Sequence, residues 1–157
     1  MALDKVVLRL ATIDDADLLL TWANDPASRA ASFSSRPIER SEHATWLTGR
    51  LVDAACAIWV GLAAAETRPI GVIRFERDRD GIADISVTVA PDARGQGFGS
   101  ALLNAGLDAA RATLGPRAFR AWVKPGNEPS IRLFEAAGFR RRDGDRPGRL
   151  EFDLAAS

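Results

Sequence analysis

The sequence predicts a layered fold of the α+β or α/β class, in which helices cover one sheet. Three observations support this prediction. Apolar residues recur with helical spacing in four segments, strand-like apolar runs recur in seven, and turn residues separate the two kinds of segment. The predicted order is β-α-α-β-β-β-α-β-α-β-β, without a repeat, a low-complexity segment or a linker.

The chain is expected to begin with a strand and a helix. Residues 6–10 form a short run of β-branched and aliphatic residues. Thr12 is followed three residues later by Asp15, a pattern that caps helices. The buried stripe of the first helix is expected at Ile13, Ala16, Leu20 and Ala23.

A second helix is predicted to begin with Ser41 as its cap. His43 and Trp46 are expected on a face beside the buried one. The inner stripe of this helix is expected at Ala44, Leu47 and Leu51.

The middle of the chain changes to the two-residue period of strands. Turn residues separate three strand-like runs at 55–64, 70–77 and 82–90, which predicts an antiparallel meander. A glycine cluster then precedes a long amphipathic helix, closed by Gly115 and Pro116. This helix is marked by Leu103, Leu107, Ala110 and Leu114.

The C-terminal part predicts a strand, a helix and a hairpin. The strand covers residues 119–123, and the helix covers 127–137 and is stopped by Gly138. The hairpin is expected to pair residues 139–142 with 149–154 around a turn at 144–148.

Composition limits the class of protein. The 157 residues, 46% of them hydrophobic, fit one domain spanning 1–157. The 21 basic and 21 acidic residues cancel, so we expect neither nucleic acid nor a membrane as partner. The lone Cys56, interpreted as a buried strand residue, excludes an internal disulfide. Without a signal peptide or an apolar stretch of about 18 residues, we expect a cytoplasmic monomer or homodimer that binds no metal.

The most informative segment is residues 84–100, where a strand runs through a glycine-rich turn into a helix. Free backbone N–H groups and the helix dipole favour an anion there, and glycines allow it to approach. The segment is therefore a candidate phosphate cradle, and the alternative is an ordinary turn. Its spacing is not that of a Rossmann motif, and no Gly-Lys-Ser/Thr sequence indicates nucleotide hydrolysis.

Two motifs together resemble the GNAT superfamily of N-acetyltransferases. Its coenzyme A signature, R/Q-x-x-G-x-G/A, is matched by Arg94, Gly97 and Gly99. Its second signature, a helix that begins N-x-x-S and ends near G-F, is matched by Asn127, Ser130, Gly138 and Phe139. The resemblance implies a mixed, mostly antiparallel sheet of six to seven strands, flanked by four helices and splayed at an acetyl-CoA site.

The resemblance also implies which residues bind acetyl-CoA. Backbone groups of Val87 and Val89 are expected to bond the pantetheine arm. Asn127 is expected to reach the same arm, with Ser130 near the thiol and Phe134 beside it. The pyrophosphate is expected at Arg94 and at the amides of Gly95, Gln96, Gly97, Phe98, Gly99 and Ser100.

Direct acetyl transfer needs a neutral amine, a donor to the oxyanion and a proton for the thiolate. The resemblance places a backbone N–H of Val87 or Val89 at the thioester oxygen. Asp84, directly or through a water, is the first candidate for the base, and its structural alternative is a solvated strand carboxylate. His43 is the second candidate, with an unperturbed pKa of about 6.5, and its alternative is a packed helix residue.

The chain departs from many GNAT enzymes at the general acid. Phe134 stands where those enzymes have a tyrosine, and the sequence contains no tyrosine. A thiolate whose conjugate thiol has a pKa near 8.5 is a tolerable leaving group, so water or the Ser130 hydroxyl can supply the proton.

The first third of the chain is expected to shape the acceptor pocket. It is similar to acetyltransferases of UDP-linked amino sugars in nonulosonic (pseudaminic-type) acid synthesis, and partly to ribosomal-protein N-terminal acetyltransferases. Arg29 either meets a phosphate or pairs with Asp25, and Trp22 is either core or pocket wall. The candidate pocket residues are Trp22, Arg29, Phe33 and His43. A small-molecule amine is the expected acceptor. A peptide N-terminus and a degenerate acyl-CoA-binding module are the alternatives.

Overall fold

The computed structural model describes residues 5–142 and 146–157, and these form one sheet covered by helices on both faces. The strands are β1 (Val6–Leu10), β2 (Cys56–Ala63), β3 (Arg68–Arg77), β4 (Ile82–Val89), β5 (Ala118–Val123), β6 (Arg140–Arg142) and β7 (Leu150–Ala155). The α-helices of this part of the chain are α1 (Ala16–Ala23), α2 (Pro26–Ala31), α3 (Arg40–Leu51), α4 (Phe98–Thr113) and α5 (Glu128–Ala136). Short 3-10 turns lie at Ile13–Asp15 and Pro91–Ala93.

The sheet has the order β1-β2-β3-β4-β5-β7-β6. Every neighbouring pair is antiparallel except β4 and β5, which are parallel. This parallel ladder has only three residue pairs and ends where Asp84 faces Arg120. Beyond that pair the two strands separate, so the sheet opens as a V between the rest of β4 and the rest of β5. The predicted mixed, mostly antiparallel sheet is confirmed.

Helices α4 and α3 cover opposite faces of the central strands. Gly106 of α4 lies so close to β3 that a Cβ on it would be 2.5 Å from Ile73 Cδ1. On the other face, the guanidinium of Arg74 lies 4.8 Å from the ring centroid of Trp46 in α3. Side chains alternate along a strand, so Ile73 and Arg74 point to opposite faces. The core side chains beneath α4 include fully buried Ile73, Phe75, Leu102, Leu103 and Phe119.

The order of elements follows the sequence prediction, with one additional helix. The six residues of α2 bury none of their side chains, so they show no apolar period. Local signals for α2 were present, because Asp25 accepts a hydrogen bond from the Ser28 N–H and Pro26 occupies the first turn.

The predicted buried stripe of α1 is wrong. Ile13 is 51% exposed, and the buried residues are Asp15, Leu19 and Trp22. Asp15 occupies an inner position because both of its oxygens accept hydrogen bonds from Arg9, at 2.7 and 2.8 Å. Its carboxylate also accepts from the Thr12 N–H, which completes the predicted capping box.

Helix α3 also differs from its prediction. It begins at Arg40 after Glu39, so Ser41 lies inside the first turn and does not cap it. The buried residues are His43 and Leu47, whereas Ala44 and Leu51 are half-buried. His43 therefore belongs to the inner face. At the C-terminus, residues 144–145 of the predicted hairpin turn lie outside the described residues.

Candidate active site

The V between β4 and β5 leaves backbone groups of β4 without a strand partner. The Ala90 N–H donates to the Ile70 oxygen at 2.8 Å on the β3 side. Hydrogen-bonding direction alternates along an antiparallel strand, so Val87 and Val89 direct their N–H and C=O groups away from β3 and into the V. Among the described residues, β5 pairs with β4 only as far as Asp84. These are the backbone groups that the sequence predicted for the pantetheine arm.

The glycine loop leads directly into α4. Gly95 and Gly97 have φ values of 74° and 82°, in the left-handed region that glycine adopts without strain. Helix α4 begins at Phe98, so the first amides of this helix lack an intrahelical acceptor. Exposed N–H groups at the positive end of a long helix suit a pyrophosphate, as predicted.

Cations surround this loop, and sequence reasoning missed two of them. Lys5 Nζ donates to the Gln96 oxygen and lies 4.6 Å from the centroid of the Phe98 ring. The Arg68 guanidinium lies 5.9 Å from the same ring. Both residues are far from the loop in sequence, and they reach it only through the pairing of strands in the sheet. Their charges add to the attraction for an anion.

Arg94 connects the glycine loop to helix α2. Its guanidinium contacts Asp25 Oδ2 at 2.9 Å and Ser28 Oγ at 3.3 Å. The hydrogen bond from Arg94 lowers the pKa of the Asp25 carboxyl. The predicted phosphate ligand therefore has a protein partner in this structure, one that holds the start of α2 beside the loop.

The predicted pairing of Arg29 with Asp25 is wrong, because Arg94 occupies that carboxylate. Arg29 instead holds the segment after α2 in place. Its guanidinium donates to Ser32 Oγ at 3.2 Å. It donates to the backbone oxygens of Ala23, Ser34 and Arg36 at 2.7, 3.0 and 3.1 Å. These bonds occupy most of its donors, which leaves Arg29 poorly suited to a phosphate.

Helix α5 and its cap contain the residues that the sequence predicted for the pantetheine arm and the thiol. Asn127 caps the helix, because its Oδ1 accepts from the Ser130 N–H at 3.4 Å. Phe134 is only 5% exposed and packs in an aromatic cluster. Its ring centroid lies 5.1 Å from that of Phe139 and 6.3 Å from that of Phe152. The position of the missing tyrosine is therefore filled by a core residue.

The first candidate base, Asp84, lies at the vertex of the V. Its Oδ1 accepts a hydrogen bond from Arg120 Nε at 2.7 Å, and Arg120 also lies 3.6 Å from Asp78. Asp84 is therefore held by Arg120 at the point where the pairing of β4 with β5 ends.

The second candidate base, His43, is 6% exposed. Its ring centroid lies 5.6 Å from that of Trp46, and burial lowers the pKa of the imidazole. His43 is thus neutral at pH 7 and able to accept a proton, but only a small part of it is accessible.

The two remaining predicted acceptor residues, Trp22 and Phe33, differ in their exposure. Trp22 is 5% exposed within the hydrophobic core, which is the core alternative that the sequence allowed. Phe33 is exposed, and the guanidinium of Arg149 lies 4.1 Å from its ring centroid. Sequence reasoning missed Arg149, because it approaches Phe33 from the opposite end of the chain.

Two clefts of about 310 and 440 Å³ lie near the start of β2 and beside α3, away from the glycine loop. Cys56 lines the first of them, and burial together with nearby carboxylates raises the pKa of its thiol to about 11. A protonated thiol is not a nucleophile, so Cys56 does not make this cleft a reaction site.

Residues 5–140 match a family model described as an acetyltransferase (GNAT) domain. The chain belongs to the GNAT acetyltransferase family. A relative, named "Putative phosphinothricin acetyltransferase YwnH" from Bacillus subtilis (strain 168), is 28% identical. The alignment covers 94% of this chain and 91% of the relative.

Solved structures support the fold of this GNAT chain. Spermidine N-acetyltransferase from Vibrio cholerae, in complex with CoA and spermine, has a TM-score of 0.86 at 20% identity, covering 98% of this chain and 97% of that chain. A structure titled as a putative phosphinothricin N-acetyltransferase has a TM-score of 0.80 at 23% identity, covering 97% and 99%. None of these names mentions a nucleotide sugar or a ribosomal protein.

Among the described residues, no helix is both long and apolar enough to cross a membrane. Within the same residues, no group of three or more His, Cys, Asp or Glu side chains is placed to hold a metal ion.

Proposed function

We propose that this protein transfers the acetyl group of acetyl-CoA to a primary amine of a small molecule by direct attack. The observation that carries the proposal is the open V, where Val87 and Val89 present backbone groups beside a left-handed glycine loop. This combination offers donors for an extended pantetheine arm and for a pyrophosphate, so the residues present fit the cosubstrate.

Each step of the acetyl transfer can be assigned to residues described above. Acetyl-CoA supplies an activated thioester carbonyl when bound. The backbone N–H of Val87 or Val89 donates to the developing oxyanion, a contact commonly worth about 3 kcal/mol. Asp84 or His43 accepts the proton of the acceptor ammonium, and the Ser130 hydroxyl or water donates one to the departing thiolate.

The class of acceptor is supported by the relatives, whose names give spermidine and phosphinothricin as their amines. Both compounds are small molecules with a primary amine. The narrower expectation of a nucleotide-linked amino sugar came from the similarity of the first third of the chain to such enzymes, with Arg29 as the candidate phosphate ligand. Because backbone carbonyls occupy most of the donors of Arg29, the proposal does not include that acceptor.

The test is a screen for CoA release and acetylated product over spermidine, phosphinothricin, amino acids, UDP-amino sugars and short peptides. We expect acetylation of at least one free small amine. Gly97→Val is the matched inactive variant, because a side chain at φ 82° would be strained and would stand beside Lys5 Nζ. Gly115→Val is the control, since it carries a comparable strain at φ 55° in open space.

Product formed only from peptides would contradict the proposed acceptor class. Unchanged CoA affinity in Gly97→Val would contradict the location of the pyrophosphate site. Calorimetry with CoA measures that affinity directly, whatever the acceptor.

A further inference from the structure

Arg74 lies in the middle of the sheet on the face covered by α3. It is paired in β3 with Ser86 of β4, two residue pairs further into the V than the Glu76–Asp84 pair. Its guanidinium stacks 4.8 Å from the ring centroid of Trp46, and its side chain is 31% exposed. The side chain is thus held under α3 while part of it remains accessible.

The carboxylate nearest to Arg74 is shared with a second guanidinium. Its ion contact is Glu76, whose Oε2 lies 3.8 Å from Arg74 Nε. Glu76 is shared, because its Oε1 lies 2.6 Å from Arg50 Nε. Asp84, the next carboxylate on this face, forms its ion pair with Arg120. Two guanidinium groups therefore depend on one carboxylate.

The ion contact of Arg74 is made by Nε, and among residues 5–142 and 146–157 its two terminal nitrogens form no ion pair with a carboxylate. Burial lowers the pKa of the guanidinium, which shows that its surroundings disfavour the charge. A partly buried guanidinium whose terminal nitrogens lack a carboxylate partner is stabilised when an anion binds it.

The position of Arg74 puts such an anion on the face of the V opposite the pyrophosphate loop, which we take as the side of the acceptor. Val89 packs towards α4, since its Cγ2 would lie 3.6 Å from a Cβ on Gly99 at the glycine loop. Ser86 and Arg74 lie on the opposite face of the same strands, beneath Trp46. An anion at Arg74 therefore lies next to Val87 but on the face away from the pyrophosphate loop.

We infer that Arg74 binds an anionic group of the acceptor, so that the substrate is an amine that also carries a carboxylate, phosphinate or phosphate. This inference rests on the proposed function and narrows it. A guanidinium stacked on an indole keeps its N–H edge free, and that edge matches two oxygens of one anion. A polyamine has no anionic group for Arg74 and would bring positive charge close to its guanidinium.

The experiment compares matched acceptors in the full-length protein. Amino acids are paired with their carboxamides, and aminoalkyl phosphinates and phosphates are paired with the corresponding amino alcohols, which also separates the sources of the anion. We expect kcat/KM for the better anionic class to exceed that of its neutral partner by about tenfold or more, as for one charge-assisted hydrogen-bonded contact.

Variants then assign the preference to Arg74. Arg74→Gln is expected to raise KM for the anionic acceptor. The kcat/KM values of the anionic and neutral acceptors of a pair should then agree to within about twofold. Arg74→Lys keeps the positive charge but lacks the planar guanidinium with its paired N–H donors. It should therefore retain part of the preference for anionic acceptors. Arg140→Gln, on the exposed edge strand β6, is the control and should behave as the unmodified protein.

The outcomes separate the inference from the function on which it rests. Acetylation of neutral amines or spermidine as efficiently as anionic amines would overturn the inference and leave the proposed function intact. An anion preference that survives in Arg74→Gln would overturn the assignment to Arg74. Absence of turnover with every amine, while CoA binds, would overturn the proposed function itself.

Discussion

At the scale of single residues, two side chains compete for the role of base, and each has a physical handicap. Asp84 is accessible at the vertex of the V but is bound to Arg120. His43 is neutral but nearly buried against Trp46. The hydrogen bond from Arg120 occupies one oxygen of the first, and burial restricts the approach of an amine to the second. Geometry alone therefore does not choose between them, whereas a pH profile does.

Substitution of each candidate separates their contributions. If Asp84 is the base, Asp84→Asn should lower kcat/KM by about a hundredfold or more and remove an ionisation from the acidic limb, while His43→Gln keeps that limb. The measurement is kcat/KM against pH with a verified acceptor. The reverse pattern would assign the base to His43. Unchanged profiles in both variants would mean that the enzyme acts by positioning.

The buried imidazole also gives a prediction for stability. Burial lowers the pKa of His43 below the unfolded value of about 6.5, so the unfolded chain takes up this proton first as the pH falls. The free energy of unfolding should therefore decrease as the pH falls from about 6.5 through the folded pKa, by at most about 1.4 kcal/mol per pH unit. Above pH 7 this group contributes no slope.

Urea denaturation at pH 7.5, 6.5 and 5.5 measures this dependence. His43 is the only histidine, and carboxyl groups titrate mainly at lower pH, so this window isolates it. His43→Gln should flatten the dependence within the window. An equal slope in the variant would show that another group is responsible.

The sequence predicted some site residues better than others for a physical reason. Gly97 and Asn127 act through local backbone geometry, a left-handed turn and a helix cap, and such geometry leaves a mark in neighbouring residues. Arg29 and Lys5 act through partners brought together by the fold. Arg29 binds carbonyls of a segment that has no regular pattern, so these partners could not be predicted from the sequence. Nothing in the local sequence marks Lys5 as a neighbour of the glycine loop.

At the scale of elements, periodicity located most helices and strands but misjudged one buried face. The stripe through Ile13 and the stripe through Asp15 both have helical spacing, and hydrophobicity favours the first. The structure buries the second because Arg9, on the adjacent strand, neutralises Asp15. An ion pair between β1 and the turn that precedes α1 thus decided the orientation of α1. Helix α2 was missed for a related reason, since a helix that buries nothing has no apolar period.

Packing between α4 and β3 gives a prediction with a matched control. A Cβ on Gly106 would lie 2.5 Å from Ile73 Cδ1 and 3.3 Å from Phe75 Cε2, and both partners are fully buried. Gly106→Ala should therefore destabilise the protein by about 1–3 kcal/mol through overpacking. Gly49→Ala, in the interior of α3 with no atom within 4 Å, should stabilise it by about 0.5–1 kcal/mol through helix propensity.

Chemical denaturation of the two variants beside the unmodified protein tests this pair. The two changes in the free energy of unfolding are expected to have opposite signs. This distinguishes packing from a general effect of alanine, which would have the same sign at both positions. A stabilised Gly106→Ala would mean that α4 moves away from β3 at little cost.

At the scale of the whole molecule, the sheet consists of two halves joined by a short parallel ladder. Strands β1 to β4 form one antiparallel half and β5 to β7 the other, with three residue pairs between them. The V exists because this ladder stops at Asp84 while both strands continue. The sequence could predict the strands but not where their pairing stops, since that depends on how the two halves pack. Only the family resemblance supplied the expectation of a splayed site.

The final prediction follows from the alternating direction of backbone groups in β4. The amides of Val87 and Val89 face the V, whereas those of Thr88 and Ala90 face β3, where Ala90 donates to the Ile70 oxygen. In the free protein, Val87 and Val89 should exchange their amide hydrogens quickly, and the even-numbered neighbours slowly. Saturating CoA should slow the odd-numbered amides by about fivefold or more, as for one added hydrogen bond.

Residue-resolved hydrogen exchange by NMR, with and without CoA, measures this pattern. Thr88 and Ala90 are internal controls, since a general stabilisation by ligand would slow all four amides together. Protection of Val87 and Val89 already in the free protein would mean that the V is closed in solution. Exchange unaffected by bound CoA would place the pantetheine arm elsewhere. Slowing confined to the odd-numbered amides would identify β4 as the edge that receives it, because no other bound geometry distinguishes alternate residues of one strand.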